Sequence, residues 1–310
     1  MSEEKVQSRR GFLKAGGLLG LGALTTTLAA CSNADPFRNP DGGAGDPSSI
    51  VIGSSVYYSS EIIAEIYAQR LEAADFIVTR EFRIGQREIY MPEIESGNIE
   101  LFPEYLGNLL QYFDAENPAR TKEEIFAALP DVLPEQVHPL AMAPASDQDA
   151  YNVTAEFAKE HDLESIGDLQ KLGRTIKVGA SSEAKDRPYG AEGLKQVYGI
   201  DTQFVPIEDS GGPLTVKALL EGDVDIANIY TADPAIKKNN LVTLEDPESL
   251  ILPQNILAVG NGRITLKAVS IVEDVNRKLT QEDLIALNAR SIDEQLSAKR
   301  IAEDWIATTW

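Results

Sequence analysis

The chain has 310 residues, 43% of them hydrophobic and 25% charged, with a formal net charge of −21. That is ordinary globular composition, long enough for one large or two medium domains. So acidic a body repels phosphate backbones and anionic lipid, which argues against a nucleic-acid partner, and a single cysteine excludes an internal disulfide.

The chain opens with Ser8-Arg9-Arg10-Gly11-Phe12-Leu13-Lys14, a twin-arginine export pattern, and runs on into the apolar stretch Ala15 to Ala30. Those sixteen residues contain four glycines and three threonines. A membrane span needs ~20 mainly apolar residues, so a signal peptide over 1–30 is the better reading. Leu28-Ala29-Ala30-Cys31 has the form of a bacterial lipobox, which makes Cys31 the expected lipid attachment point. Residues 31–48 are rich in Gly, Pro and Asp and read as a tether, with the folded body starting near Ser49.

In the body, Ile50 to Gly53 reads as a strand, and Ser59 or Ser60 as the cap of a helix with apolar residues at helical spacing. Phe76 to Ile84 follows as a strand, Arg87 to Ser96 as a helix stopped by Gly97, and Ile99 to Phe102 as a strand ended by Pro103. Leu106 to Phe113 is helical, and Thr121 to Glu124 is a capping box. Pro139 to Ala145 and Tyr151 to Phe157 read as extended connections. A second strand–helix series then runs through Thr175–Ala180, Ala191–Tyr198, Thr202–Ile207, Leu214–Leu220 and Val224–Tyr230. From Ile264 onward the chain is helical, with Thr280 as a cap. This alternation predicts an α/β fold with mainly parallel sheets in two lobes, and clefts between lobes favour small ligands.

Catalytic motifs are sparse. His138 and His161 are the only histidines, and there is no zinc-protease helix, nucleophile elbow, phosphate-binding loop or Cys/His metal spacing. Ser182-Glu183-Ala184-Lys185 matches S-x-x-K, but its companion elements are missing. The expectation is no enzyme, no cofactor and no metal, with an exported serine hydrolase using Ser182 as the alternative.

Several stretches then carry a resemblance: Ile52-Gly53-Ser54, residues 84–108 (IGQREIYMPEIESGNIELFPEYLGN), 143–151 (APASDQDAY), 178–190 (VGASSEAKDRPYG), 222–233 (GDVDIANIYTAD) and 252–255 (LPQN). In this order they resemble the substrate-binding lipoproteins of ABC importers for glycine betaine, choline and related quaternary ammonium osmolytes. The resemblance implies a two-lobe periplasmic-binding-protein fold of type II, with lobe 1 over 49–149 plus 254–310 and lobe 2 over 150–253. It also implies delivery of a quaternary ammonium ligand to ABC permease and ATPase subunits, from an anchor on the outer face of the cytoplasmic membrane. A receptor of the same fold for a non-quaternary small molecule is the other alternative.

In such proteins tyrosines box the trimethylammonium head, which has no N–H to donate and is attracted instead to aromatic faces, at ~0.5–2 kcal/mol per ring. By that resemblance Tyr105, Tyr151 and Tyr230 are box residues and Arg187 meets a ligand carboxylate. The fourth tyrosine is replaced by Gln254, Asn108 stands where threonine or aspartate is common, and Ser55 replaces a lysine. Asn108 and Gln254 are expected at the site all the same, and Tyr57 or Tyr58 is the candidate to supply the missing ring.

Overall fold

The computed structural model describes residues 48–310, so the export pattern, Cys31 and the tether up to residue 47 lie outside the described residues. The first half contains β1 (Ser49–Gly53), α1 (Tyr58–Glu72), β2 (Ile77–Glu81), α2 (Arg87–Ser96), β3 (Leu101–Tyr105), α3 (Leu106–Phe113), α4 (Lys122–Val132) and β4 (Val137–Pro139). A second series contains β5 (Tyr151–Thr154), α5 (Ala155–His161), β6 (Ile176–Ala180), α6 (Ala191–Tyr198), β7 (Thr202–Pro206), α7 (Pro213–Leu220), β8 (Ile226–Asn228), α8 (Pro234–Lys238) and β9 (Leu241–Thr243). The chain then returns through β10 (Ile256–Asn261) to α9 (Leu266–Lys278), α10 (Gln281–Ile292) and α11 (Ala298–Thr309).

These strands form two five-stranded sheets, β2-β1-β3-β10-β4 and β7-β6-β8-β5-β9, so the fold is α/β with two lobes. In the first sheet β1 lies parallel to β2 and β3, while β10 is antiparallel to β3 and β4. Its two faces are covered differently. Ile52, Leu101, Ile256 and Ala258 pack against α1, α9, α10 and α11, whereas Phe102, Leu257 and Val259 pack against α2, α3 and α4. In the second sheet β6 lies parallel to β7 and β8, and β5 is antiparallel to β8 and β9. Two chain crossings run side by side between the sheets, joined by the antiparallel bridge Ser146–Asn255 and by the Asp147 N–H donating to the Gln254 carbonyl at 3.1 Å.

Four local expectations are corrected. Ser59 and Ser60 do not cap α1; both are buried in its first turn, and the Ser60 hydroxyl accepts from the Ser55 N–H at 3.1 Å. Pro103 does not end its strand, because β1 has already ended beside it and no partner there needs the missing N–H. Residues 155–157 are helical, started by Thr154, whose side chain accepts from the Phe157 N–H. Finally, the sheets are mixed rather than mainly parallel, because β5 and the fully buried interior strand Ile256 to Asn261 both run antiparallel to their neighbours.

Candidate ligand-binding site

Between the sheets lies a cavity that is open to solvent. Its walls come from segments that follow strands, where open α/β sheets place their ligands. The loop after β1 contributes Ser55, Val56 and Tyr57, and the end of β3 and the start of α3 contribute Tyr105 and Asn108. Gln86, Arg87 and Tyr90 come from the start of α2, and Asp147 and Asp149 from the first crossing. The second lobe adds Glu183, Arg187 and Tyr189 after β6, Ser210 after β7 and Tyr230 after β8.

The structure brings Tyr57, Tyr105, Tyr230, Arg187 and Asn108 together on these walls. The ring of Tyr57 meets Tyr230 edge-on at 4.9 Å between centroids and meets Tyr58 at 4.6 Å. Its hydroxyl donates to the Asp147 carboxylate at 2.9 Å. The hydroxyl of Tyr105 is buried and without a hydrogen-bond partner among the described residues. Burial pushes the phenols of Tyr57, Tyr105, Tyr189 and Tyr230 well above their ordinary range, so the rings stay neutral.

Tyr151 and Gln254, expected at the site, stand outside this lining. Tyr151 has already entered β5 and is 1% exposed in the second lobe's core, where its hydroxyl donates to the Tyr189 carbonyl at 2.8 Å. It therefore supports the segment that carries Tyr189. Gln254 serves α3. The first N–H groups of a helix have no partner within it; here Leu106 donates to the Asn255 carbonyl at 3.1 Å, Gly107 to the Pro253 carbonyl at 3.0 Å and Asn108 to Gln254 Oε1 at 3.0 Å. Gln254 Nε2 in turn donates to Asn108 Oδ1 at 2.9 Å, which fixes that side chain at the cavity wall. The close approach explains Gly107: a Cβ there would lie 2.5 Å from Leu252 Cβ and 2.9 Å from the Pro253 oxygen.

Sequence reasoning missed several wall residues. Tyr189 follows Arg187-Pro188 in a stretch already singled out, and a tyrosine beside the expected arginine was the available signal. Asp147 and Asp149 precede Tyr151 in another such stretch. Behind the wall, Glu104 was not singled out either; it is fully buried and accepts from Arg87 Nε at 2.9 Å, Arg87 Nη2 at 2.8 Å, the Tyr90 hydroxyl at 2.7 Å and the Tyr105 N–H at 2.9 Å. Arg187 reaches across the cavity to Glu88 of α2 at 3.0 Å, and Tyr58 bonds Asp233 at 3.1 Å, so side chains of the two lobes meet directly.

A two-lobe α/β body with a tyrosine-walled cavity between its sheets defines the class of solute-binding proteins. Residues 48–308 match the family described as the substrate binding domain of ABC-type glycine betaine transport systems, and this chain belongs to that family. It is 24% identical to the glycine betaine-binding protein YehZ of Escherichia coli (strain K12), across 95% of this chain and 96% of that protein. It is 21% identical to the carnitine transport binding protein OpuCC of Listeria monocytogenes serotype 1/2a (strain 10403S), across 86% of this chain and 89% of that one. Among solved structures, a glycine betaine/carnitine/choline ABC transporter protein superposes with a TM-score of 0.67 at 21% identity, covering 84% of this chain and 98% of that one. Lactococcal OpuAC in its closed, glycine betaine-bound conformation gives 0.62 at 14% identity, covering 84% and 95%. Both superpositions bear on the fold.

Proposed function

We propose that this chain is the extracytoplasmic receptor of an ABC importer, and that it captures a quaternary ammonium osmolyte in the cavity and hands it to the permease and ATPase subunits. The observation that carries the reading is the set of tyrosines, Tyr57, Tyr105, Tyr189 and Tyr230, converging on one cavity from both lobes. A trimethylammonium group cannot donate a hydrogen bond, and neutral aromatic faces in a partly desolvated site are what attract it. Membership of the glycine betaine family and the names of the relatives point the same way.

The hydrolase alternative finds no support in the geometry. Ser182 and Lys185 are exposed and lie outside the cavity lining. Delivery through a twin-arginine signal and an anchor at Cys31 belongs to the same proposal; among the described residues no helix is long and apolar enough to cross a membrane. A thermal-shift screen over choline, glycine betaine, carnitine and non-quaternary polyols tests the function, since a ligand that binds only the folded state raises its melting temperature. A rise with the quaternary compounds alone is the expected result; a rise with polyols alone refutes the reading. Mass spectrometry of membrane-extracted protein should find a diacylglycerol adduct on Cys31, and an unmodified soluble form would refute the anchor.

A further inference from the structure

The charges on the cavity wall do not cancel. Arg87 is neutralised by the two-pronged pair with Glu104, and Arg187 is paired with Glu88. Three carboxylates on the wall, those of Asp147, Asp149 and Glu183, form no ion pair among the described residues. Asp147 and Asp149 are each only 4% exposed.

What these two aspartates lack is charge, since neutral donors already serve their oxygens. Asp147 accepts from the Tyr57 hydroxyl and from the Ala232 N–H, both at 2.9 Å. Asp149 accepts from Asn108 Nδ2 and Asn228 Nδ2, both at 2.9 Å. Once ionised, a buried carboxylate with neutral donors is an uncompensated anion, and Asp147, pushed up to about 7 by burial, carries that charge in full only when a cation binds or the pH rises. A cation without N–H groups supplies the missing charge and asks for no acceptor. A ligand that carries its own carboxylate brings a further negative charge toward wall arginines that are both already paired.

Resting on the quaternary-ammonium reading above, we propose that the ligand carries a net positive charge, as an amino alcohol of the choline class does, rather than being a zwitterion of the betaine class, and that Asp147, Asp149 and Glu183 make this selection. Glu183 is half-buried and forms no hydrogen bond among the described residues, which leaves its carboxylate free to accept from a ligand hydroxyl.

The test is calorimetric titration of the full chain with choline, glycine betaine and tetramethylammonium. A unit charge a few ångströms from an unpaired carboxylate is worth at least ~10-fold in affinity, so choline should bind at least that much tighter than glycine betaine. Asp149→Asn should weaken choline while leaving glycine betaine unchanged or tighter. Glu183→Gln, at a side chain with no structural hydrogen bond, should do the same and guards against a folding defect in the first variant; melting curves of both accompany the titrations. Glycine betaine binding as tightly as choline, or a choline-to-betaine ratio unmoved by Glu183→Gln in folded protein, overturns the inference. Tight betaine with weak choline defeats only this inference, whereas absence of binding by all three ligands defeats the quaternary-ammonium reading as well.

Discussion

Glu104→Gln keeps the size of the side chain and removes its charge. Glu104 is 0% exposed and takes four hydrogen bonds, two of them from an Arg87 that is itself only 7% exposed. The substitution leaves the guanidinium buried without its counter-ion. Breaking a buried pair from one side costs ~3–5 kcal/mol, a large part of the ~5–15 kcal/mol that holds a typical fold together. For a chain of this size the melting temperature should fall by roughly 6–20 °C. Urea denaturation followed by circular dichroism reads the change. Adding Arg87→Met should recover part of the loss, because the stranded charge goes with it. Glu104→Gln within ~1 kcal/mol of the parent chain would show that Arg87 finds water or another partner, and the account of how Tyr90 and Tyr105 are held would fall with it.

Tyr105→Leu and Tyr230→Leu should each weaken binding of a quaternary ammonium ligand by ~3- to 30-fold, the worth of one ring, while Tyr151→Phe should leave affinity nearly unchanged and cost about 1 kcal/mol of stability through its lost bond to Tyr189. Calorimetry and denaturation separate the two effects. Gly107→Ala should destabilise by ~1–3 kcal/mol, because its Cβ would overlap Leu252 and the Pro253 carbonyl; a neutral result would show that the second crossing can shift. Asp147 is pushed up to about 7, chiefly by burial and against the pull of the Ala232 N–H and the Tyr57 hydroxyl, with Tyr58, Asp149 and Asp233 also close by. Its native pKa lies above the unfolded value near 3.8, so the stability it contributes is full below that value and is lost as pH rises to about 7. A bound cation favours the carboxylate, so affinity should rise with pH and level off above that point; an Asp147→Asn protein with the same pH profile would refute this.

The two strand–helix series were legible because their apolar residues keep strand and helix spacing, and the resemblance stretches placed Tyr105, Tyr230 and Arg187 on strand-following segments. What escaped was set by tertiary pairing. Nothing local marks Ile256 to Asn261 as antiparallel, since its direction follows from the chain crossing back between lobes. Pro103 carries a strong breaker signal that β1 defuses by ending early. Tyr151 sits two residues past the cavity-facing Asp149, just where β5 pairing with β8 commits its ring to the core. Gln254 occupies a position expected to carry a ring, but its amide meets the N-terminus of a helix nearly 150 residues earlier in the chain, a contact no local pattern encodes.

The central claim is that tyrosine faces hold a quaternary ammonium head between the lobes. Calorimetric titration with tetramethylammonium isolates that head, because the ion has no hydroxyl, carboxylate or N–H. The expected result is saturable binding that is weakened by ~3- to 30-fold in each of the Tyr105→Leu and Tyr230→Leu proteins while both still melt cooperatively. Binding that persists undiminished in both variants, or no binding of any quaternary ammonium compound to the parent chain, would contradict it.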